Sequence, residues 1–316
     1  MYFILSFLLI IIWICSSTSS TVSNFFTWKN NMRIHYTYTT TTPSMEVDEL
    51  LKDSVVLLPG FGVGTFHFSR NIQSLAAENF NVYCIDLLGQ GKSWPESYNQ
   101  SSSSFRYSLD TWAEEIIYFI ESILKRGRRV HIAGNSLGGY LSVMVAYLRP
   151  DLVKSICLLN ATPIWAFNSP SPSDEGVLRL WDGELSSAPQ WCLSLGAAYF
   201  NLLRSPTTVK TMLQGVYRTR ESLTDELIDE IITAASHPAG PDAFSSIVFS
   251  PKSNKSFDEM LQGIDGSIPI CQIMGKDDPW ITPLWVCENF ILACTPMDFI
   301  PAIQRPKYTK LYMKAS

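Results

Sequence analysis

Histidine is scarce in this chain. There are four among 316 residues, His35, His67, His131 and His237, and none follows His237. Any chemistry that needs an imidazole base therefore has few sources. The seven cysteines are scattered at Cys15, Cys84, Cys157, Cys192, Cys271, Cys287 and Cys294. None falls in a Cys-x-x-Cys pair or at zinc spacing with a histidine, which excludes zinc-ribbon and dithiol-redox motifs. Cys84, Cys157 and Cys271 lie inside apolar runs, so they read as buried free thiols of a reducing compartment. Charged residues are few, 17%, with a net charge of -5. No basic stripe exists to neutralise phosphates, which excludes a nucleic-acid partner. The one basic cluster, residues 125–129, reads as a helix C-terminus, where cations suit the helix dipole. The apolar opening MYFILSFLLIIIWIC is short for a membrane span and lacks the basic start of a secretory signal. Residues 1–25 are read as a leader, with a signal peptide, a membrane anchor and a misassigned first exon all open.

Apolar residues make up 46% of the chain, enough for a large core. RIHYTYT alternates and predicts an edge strand. SVVLL, NVYCI, VHIAGN, VKSICLLN and SIPICQIMG are short apolar runs that predict buried strands. Helical patterns separate the earlier ones; Ser108 opens one that runs to about Lys125, with Trp112, Ile116, Phe119, Ile120 and Ile123 on its apolar side. This alternation predicts an α/β fold, with a mostly parallel sheet covered by helices on both faces. Between residues 163 and 262 the rhythm turns helical and aromatic, which predicts an inserted helical cap. The core is then divided into residues 26–162 and 263–286, with a divergent tail over 287–316.

Gly134-Asn135-Ser136-Leu137-Gly138 follows a predicted strand and opens a helix, the context of a nucleophile elbow. There the serine hydroxyl is lifted above the sheet, and the Leu137 N–H at the helix N-terminus points at a developing oxyanion. Leu58-Pro59-Gly60-Phe61-Gly62 follows an earlier strand and is placed to give a second oxyanion donor, the Phe61 N–H. Asp86, in DLLGQGKS, reads as a structural anchor for its loop. Gly275-Lys276-Asp277-Asp278-Pro279-Trp280 ends the late strand, and a carboxylate there would orient a catalytic imidazole. Asp278 is the first choice for it and Asp277 the second. His67, Trp165 and His237 are expected to line the pocket. His131 reads as a satisfied residue of its strand. No histidine follows Asp278, although the chain order serine, acid, histidine requires one.

The segments LPGFGVGTFHF, CIDLLGQGKS, IAGNSLGGY, LLNATPIW, SHPAGPDAFSSIVF and GKDDPWITPLW resemble the pheophytinase family, plant α/β-hydrolases that remove phytol from pheophytin in chlorophyll breakdown. The resemblance runs from about Trp28 to Trp285, and chlorophyll dephytylases are a looser match. It implies an α/β-hydrolase fold, Ser136 as nucleophile and Asp278 as acid, no cofactor and no metal. It also implies a lipophilic pigment ester as the small-molecule partner, chlorophyll-breakdown proteins as further partners, and a chloroplast location. The apolar leader leaves a secretory or membrane-anchored location, and association with a membrane surface, open. The family places its histidine in a Gly-His pair before the last helix. The tail VCENFILACTPMDFIPAIQRPKYTKLYMKAS holds neither residue. An alternative splice or misjoined gene model is the expected reason, with an incomplete C-terminal part and a bare sheet edge as its structural consequence. Three functions follow as expectations: a phytyl-ester hydrolase, a catalytically impaired or pigment-binding form, and another lipid or carboxylic esterase of the same fold.

Overall fold

A computed structural model describes residues 20–40, 52–96, 105–124, 127, 129–161, 181–216, 223–250, 255–275 and 308–313. Among these residues, nine strands form one sheet: β1 (Ser20–Trp28), β2 (Met32–Thr40), β3 (Ser54–Leu58), β4 (Asn81–Ile85), β5 (Trp94–Pro95), β6 (Val130–Asn135), β7 (Val153–Leu159), β8 (Ile270–Gly275) and β9 (Tyr308–Met313). Their spatial order is β1-β2-β4-β3-β6-β7-β8-β9, with β5 paired to β2. From β4 to β9 every pairing is parallel, whereas β2 is antiparallel to both β1 and β4.

The central strand β3 is buried at all five residues. A parallel strand covered on both faces has no reason to alternate, and SVVLL does not. One face packs Val55, Leu57, Val82 and Cys84 against Phe68 and against Ile72 of α1 (Ser69–Ala77). The other face packs Val56, Leu58, Ile132 and Ile156 against α2 (Leu109–Tyr118) and α3 (Leu137–Leu148). Ser108 caps α2 by accepting the Thr111 N–H, and Asp110 adds a favourable charge to its first turn. Past Tyr118 the helix loosens into one π turn, Phe119–Ile123, which keeps Phe119 and Ile120 buried.

Among the described residues, five helices lie between β7 and β8: α4 (Gln190–Leu203), α5 (Pro206–Val216), α6 (Asp225–Ala234), α7 (Gly240–Phe249) and α8 (Phe257–Gly263). Gly196 of α4 sits where a methyl group would strike Ser245 of α7, so the two helices meet closely. Among the described residues, no helix is long and apolar enough to cross a membrane.

Four expectations change. RIHYTYT is an interior strand, because β1 pairs along its whole outer side. β1 already includes Ser20, ahead of the residue-26 boundary, so residues 20–25 belong to the sheet rather than to a leader. The tail contributes β9, paired in parallel along β8 from Ile270↔Tyr308 to Gly275↔Met313, so that edge is covered. The stretch YTKLYM, with Thr and Lys set between its apolar residues, is too polar to stand out as a strand from sequence. Cys157 and Cys271 are half-buried rather than buried, and face each other across β7 and β8.

Candidate active site

The chain turns from β6 into α3 at Ser136, whose backbone has φ 51° and ψ -114°. A residue with a side chain rarely adopts that conformation, which costs about 1–3 kcal/mol and persists only where the surroundings enforce it. They do so here through hydrogen bonds and sterics. The Ser136 N–H donates to the Leu159 carbonyl of β7 at 3.0 Å, and the Ser136 carbonyl accepts from Gly139 and Tyr140 N–H. The Asn135 amide donates to the same Leu159 carbonyl at 3.2 Å. A methyl group on Gly134 would strike the backbone of Gly138, and one on Gly138 would strike the Leu58 and Pro59 carbonyls. One on Gly139 would meet Ala161. The glycine spacing of the motif is thus the imprint of three backbone segments in contact.

The loop after β3 lies directly against this turn. A methyl group on Gly60 would stand 3.1 Å from Asn135 Oδ1 and 3.4 Å from Ser136 Cβ. Phe61, the next residue, keeps its side chain exposed, with its ring 6.4 Å from Phe244 of α7. The loop is held from behind by Gln90, a buried side chain whose Oε1 accepts the Gly62 N–H at 2.5 Å. Leu137 is buried as the first residue of α3, so its N–H stands at the positive end of that helix. The structure therefore brings Ser136, Leu137 and the Phe61 loop together.

The histidines make the following contacts. His67 lies in the turn Thr65–Phe68, its ring edge-on to Phe68 at 5.4 Å, and burial lowers its pKa. His237 stacks on Trp94 at 4.1 Å, its Nδ1 accepts the Ala239 N–H, and burial likewise lowers its pKa. His131 contacts Ser155 Oγ at 2.6 Å, beside Asp53, and its pKa is lowered, chiefly by burial. His35 contacts Asp86 at 2.7 Å. Asp86 anchors its surroundings as expected: Oδ1 accepts the Thr65 N–H at 2.5 Å and Oδ2 the Lys92 N–H at 2.8 Å. Asp277, Asp278 and Trp165 lie outside the described residues. Among the described residues, no group of three His, Cys, Asp or Glu side chains is placed to hold a metal ion.

Sequence reasoning did not single out Gln90 or Phe244 for the site. Phe244 joins Tyr199 and Phe200 of α4, at 5.8 and 5.3 Å, in an aromatic group beside Phe61. Their helical spacing fits ordinary core equally well, so only the tertiary contact with Phe61 distinguishes them.

Comparisons with known proteins agree with this architecture. Residues 55–291 match the family described as "Alpha/beta hydrolase family". The chain is 32% identical over 284 residues to "Pheophytinase, chloroplastic" of Arabidopsis thaliana, an alignment that covers 82% of this chain and 57% of that protein. It thus spans little more than half the length of that relative. It is 27% identical to the "(Lyso)-N-acylphosphatidylethanolamine lipase" of Homo sapiens, over 77% of this chain and 69% of the lipase. Among solved structures, the 2-hydroxy-6-oxo-6-phenylhexa-2,4-dienoate hydrolase of Rhodococcus sp. superposes with a TM-score of 0.59 at 16% identity, covering 94% of this chain and 92% of its own. With the sheet order, the turn at Ser136 and the match over most of its length, the chain belongs to the alpha/beta hydrolase family.

Proposed function

We propose that this protein is a serine hydrolase of lipophilic carboxylic esters, with the phytyl ester of pheophytin as substrate. Ser136 is the nucleophile, the Leu137 and Phe61 N–H groups receive the oxyanion, and Asp278 is the acid. The observation that carries this reading is the backbone of Ser136, held at φ 51° between a strand and a helix N-terminus. Such strain is kept where a side chain must be presented for chemistry. Ser136 Oγ attacks the ester carbonyl carbon, its proton passes through a base to the departing alcohol, and water then frees the acid from the acyl-serine.

The helical segment between β7 and β8 acts as the cap. Support for a lipophilic substrate comes from the aromatic group Phe61, Tyr199, Phe200 and Phe244, and from Trp191, Leu195, Tyr199 and Leu202, which are exposed along α4. The same stripe would suit a membrane surface. The pigment ester and the chloroplast location rest on the 32% identity to pheophytinase.

A second reading is favoured by the histidines, whose contacts go to Ser23, Asp86, Ser155, Trp94 and Phe68. On this reading the chain binds the same ester and turns it over slowly, since losing one triad member costs on the order of 10⁴-fold in rate. Incubation with pheophytin, followed by chromatography of pheophorbide against an active relative of the family, tests the first reading. Release of pheophorbide at a comparable rate supports it. Pigment retention without product replaces it by the second, and hydrolysis confined to other esters in a substrate panel replaces the pigment.

A further inference from the structure

A complete Ser–His–Asp chain of hydrogen bonds does exist in this protein, and Ser136 is not part of it. Ser23 Oγ lies 2.7 Å from His35 Nε2, and His35 Nδ1 lies 2.7 Å from Asp86 Oδ2. His35 and Asp86 are each 1% exposed, while Ser23 stands at the surface. The Thr65 and Lys92 N–H groups already converge on the Asp86 carboxylate. The imidazole can donate to Asp86 through Nδ1, and in the neutral ring Nε2 is then the acceptor of the Ser23 hydroxyl proton. Ser23 is on β1, four strands from β6, on the order of 19 Å at the usual strand spacing. It is thus separate from the site around Ser136.

The strand register adds an oxyanion donor. Phe25 pairs with His35, yet the Phe25 N–H bonds Asn24 Oδ1 and the His35 N–H bonds Ser93 Oγ, so neither points at the other strand. Antiparallel pairs alternate between bonded and non-bonded, so the pair two residues on, Ser23↔Thr37, is non-bonded as well. The Ser23 N–H consequently points out from the sheet, beside its own hydroxyl. Among the described residues, β1 is the last strand on that side of the sheet. The Phe25 ring, 5.0 Å from the His35 ring, shields one side of the imidazole from water.

We propose that Ser23 is a second, independently reactive serine. His35 takes its proton, Asp86 orients the imidazole, and the Ser23 N–H receives the charge that develops on the attacked oxygen. Its substrates are small activated carboxylic or phosphonic esters that reach the open edge from solvent. With a fluorophosphonate, the Ser23 Oγ–P bond forms and the P–F bond breaks. The serine proton passes to His35 Nε2 and leaves with fluoride as HF.

The test is fluorophosphonate labelling of the full chain, with the labelled peptides mapped by mass spectrometry. In Ser136→Ala the label appears at Ser23, and adding Ser23→Ala removes it. His35→Gln slows labelling of Ser23 about 100-fold, the share of a general base. A melting curve establishes that this variant folds. Independently of it, the wild-type chain in urea, where the contact is gone, labels Ser23 no faster than Ser20. An unlabelled Ser23 in Ser136→Ala overturns the proposal. So does labelling of Ser23 that persists unchanged in folded His35→Gln or in urea. Because the readout is the labelled residue, failure of Ser136 to react leaves this result intact.

Discussion

Two helices of similar length and similarly apolar sequence, α3 and α4, end in opposite surroundings. α3, LGGYLSVMVAYL, buries an unbroken run from Leu137 to Ala146. α4, QWCLSLGAAYFNLL, buries Cys192 and Leu193, while Leu195 is 62% exposed and Trp191, Tyr199 and Leu202 are nearly as open. The difference lies in what surrounds each helix. α3 is wedged between the sheet and helices α2 and α8, whereas α4 packs on α7 and turns its other face outward. Helix α3 thus serves as a rigid support for Ser136, and α4 as a surface that an apolar ligand can cover.

The sharpest way to break this contrast is at the elbow. Gly134→Ala drives a methyl group into the Gly138 backbone, where nothing flexible can yield. It is expected to cost at least about 4 kcal/mol, read as collapse of the urea midpoint or loss of folded protein. Next, equivalent truncations separate the two helices. Leu141→Ala in α3, fully buried, costs about 3 kcal/mol, whereas Leu195→Ala in α4 stays within about 0.5 kcal/mol by the same denaturation measurement. Equal costs would mean that α4 is covered in solution.

A smaller effect comes from Glu115 of α2, buried beneath the loop after β4. One carboxyl oxygen accepts the Leu88 N–H at 3.0 Å, and among the described residues the other finds no hydrogen-bond partner. Burial, reinforced by the nearby Asp86, raises its pKa well above the ordinary glutamate value. The folded chain therefore holds this proton where the unfolded chain has released it, so stability falls as pH rises above the ordinary glutamate range. Glu115→Gln is expected to flatten that fall and to stabilise the protein by about 1 kcal/mol at pH 7, read from urea midpoints across a pH series. The smallest effect is at the nucleophile. Ser136→Gly relieves the strained φ and is expected to stabilise the fold by about 0.5 kcal/mol, read as a raised melting midpoint, while abolishing labelling at that position.

Much of the fold was legible in the sequence because the buried parallel strands are continuous apolar runs with few alternatives. SVVLL, NVYCI and VHIAGN are strands to within a residue of the predicted ends, and Ser108 caps the predicted helix. The edges were not legible. β1 is largely exposed and β9 sets Thr and Lys between its apolar residues, and an edge strand carries a weak pattern because one side of it needs no partner. At the site, the glycines around Ser136 announced the turn, since only a residue without a side chain fits three converging backbones. Gln90 and Phe244 gave no such signal, because their roles depend on contacts with Gly62 and Phe61, across a loop and from a separate helix.

By itself the sequence determined the order of the buried strands and the helices between them, the turn that presents Ser136, and the scarcity of histidine that makes its base the central question. Those are local matters, set by apolar period, glycine placement and composition. Tertiary structure alone decided that His35, 51 residues before Asp86 in the chain, would meet both that carboxylate and Ser23. The reason is register: the pairing of β1 with β2 and the approach of the loop after β4 bring together side chains that no spacing along the chain relates.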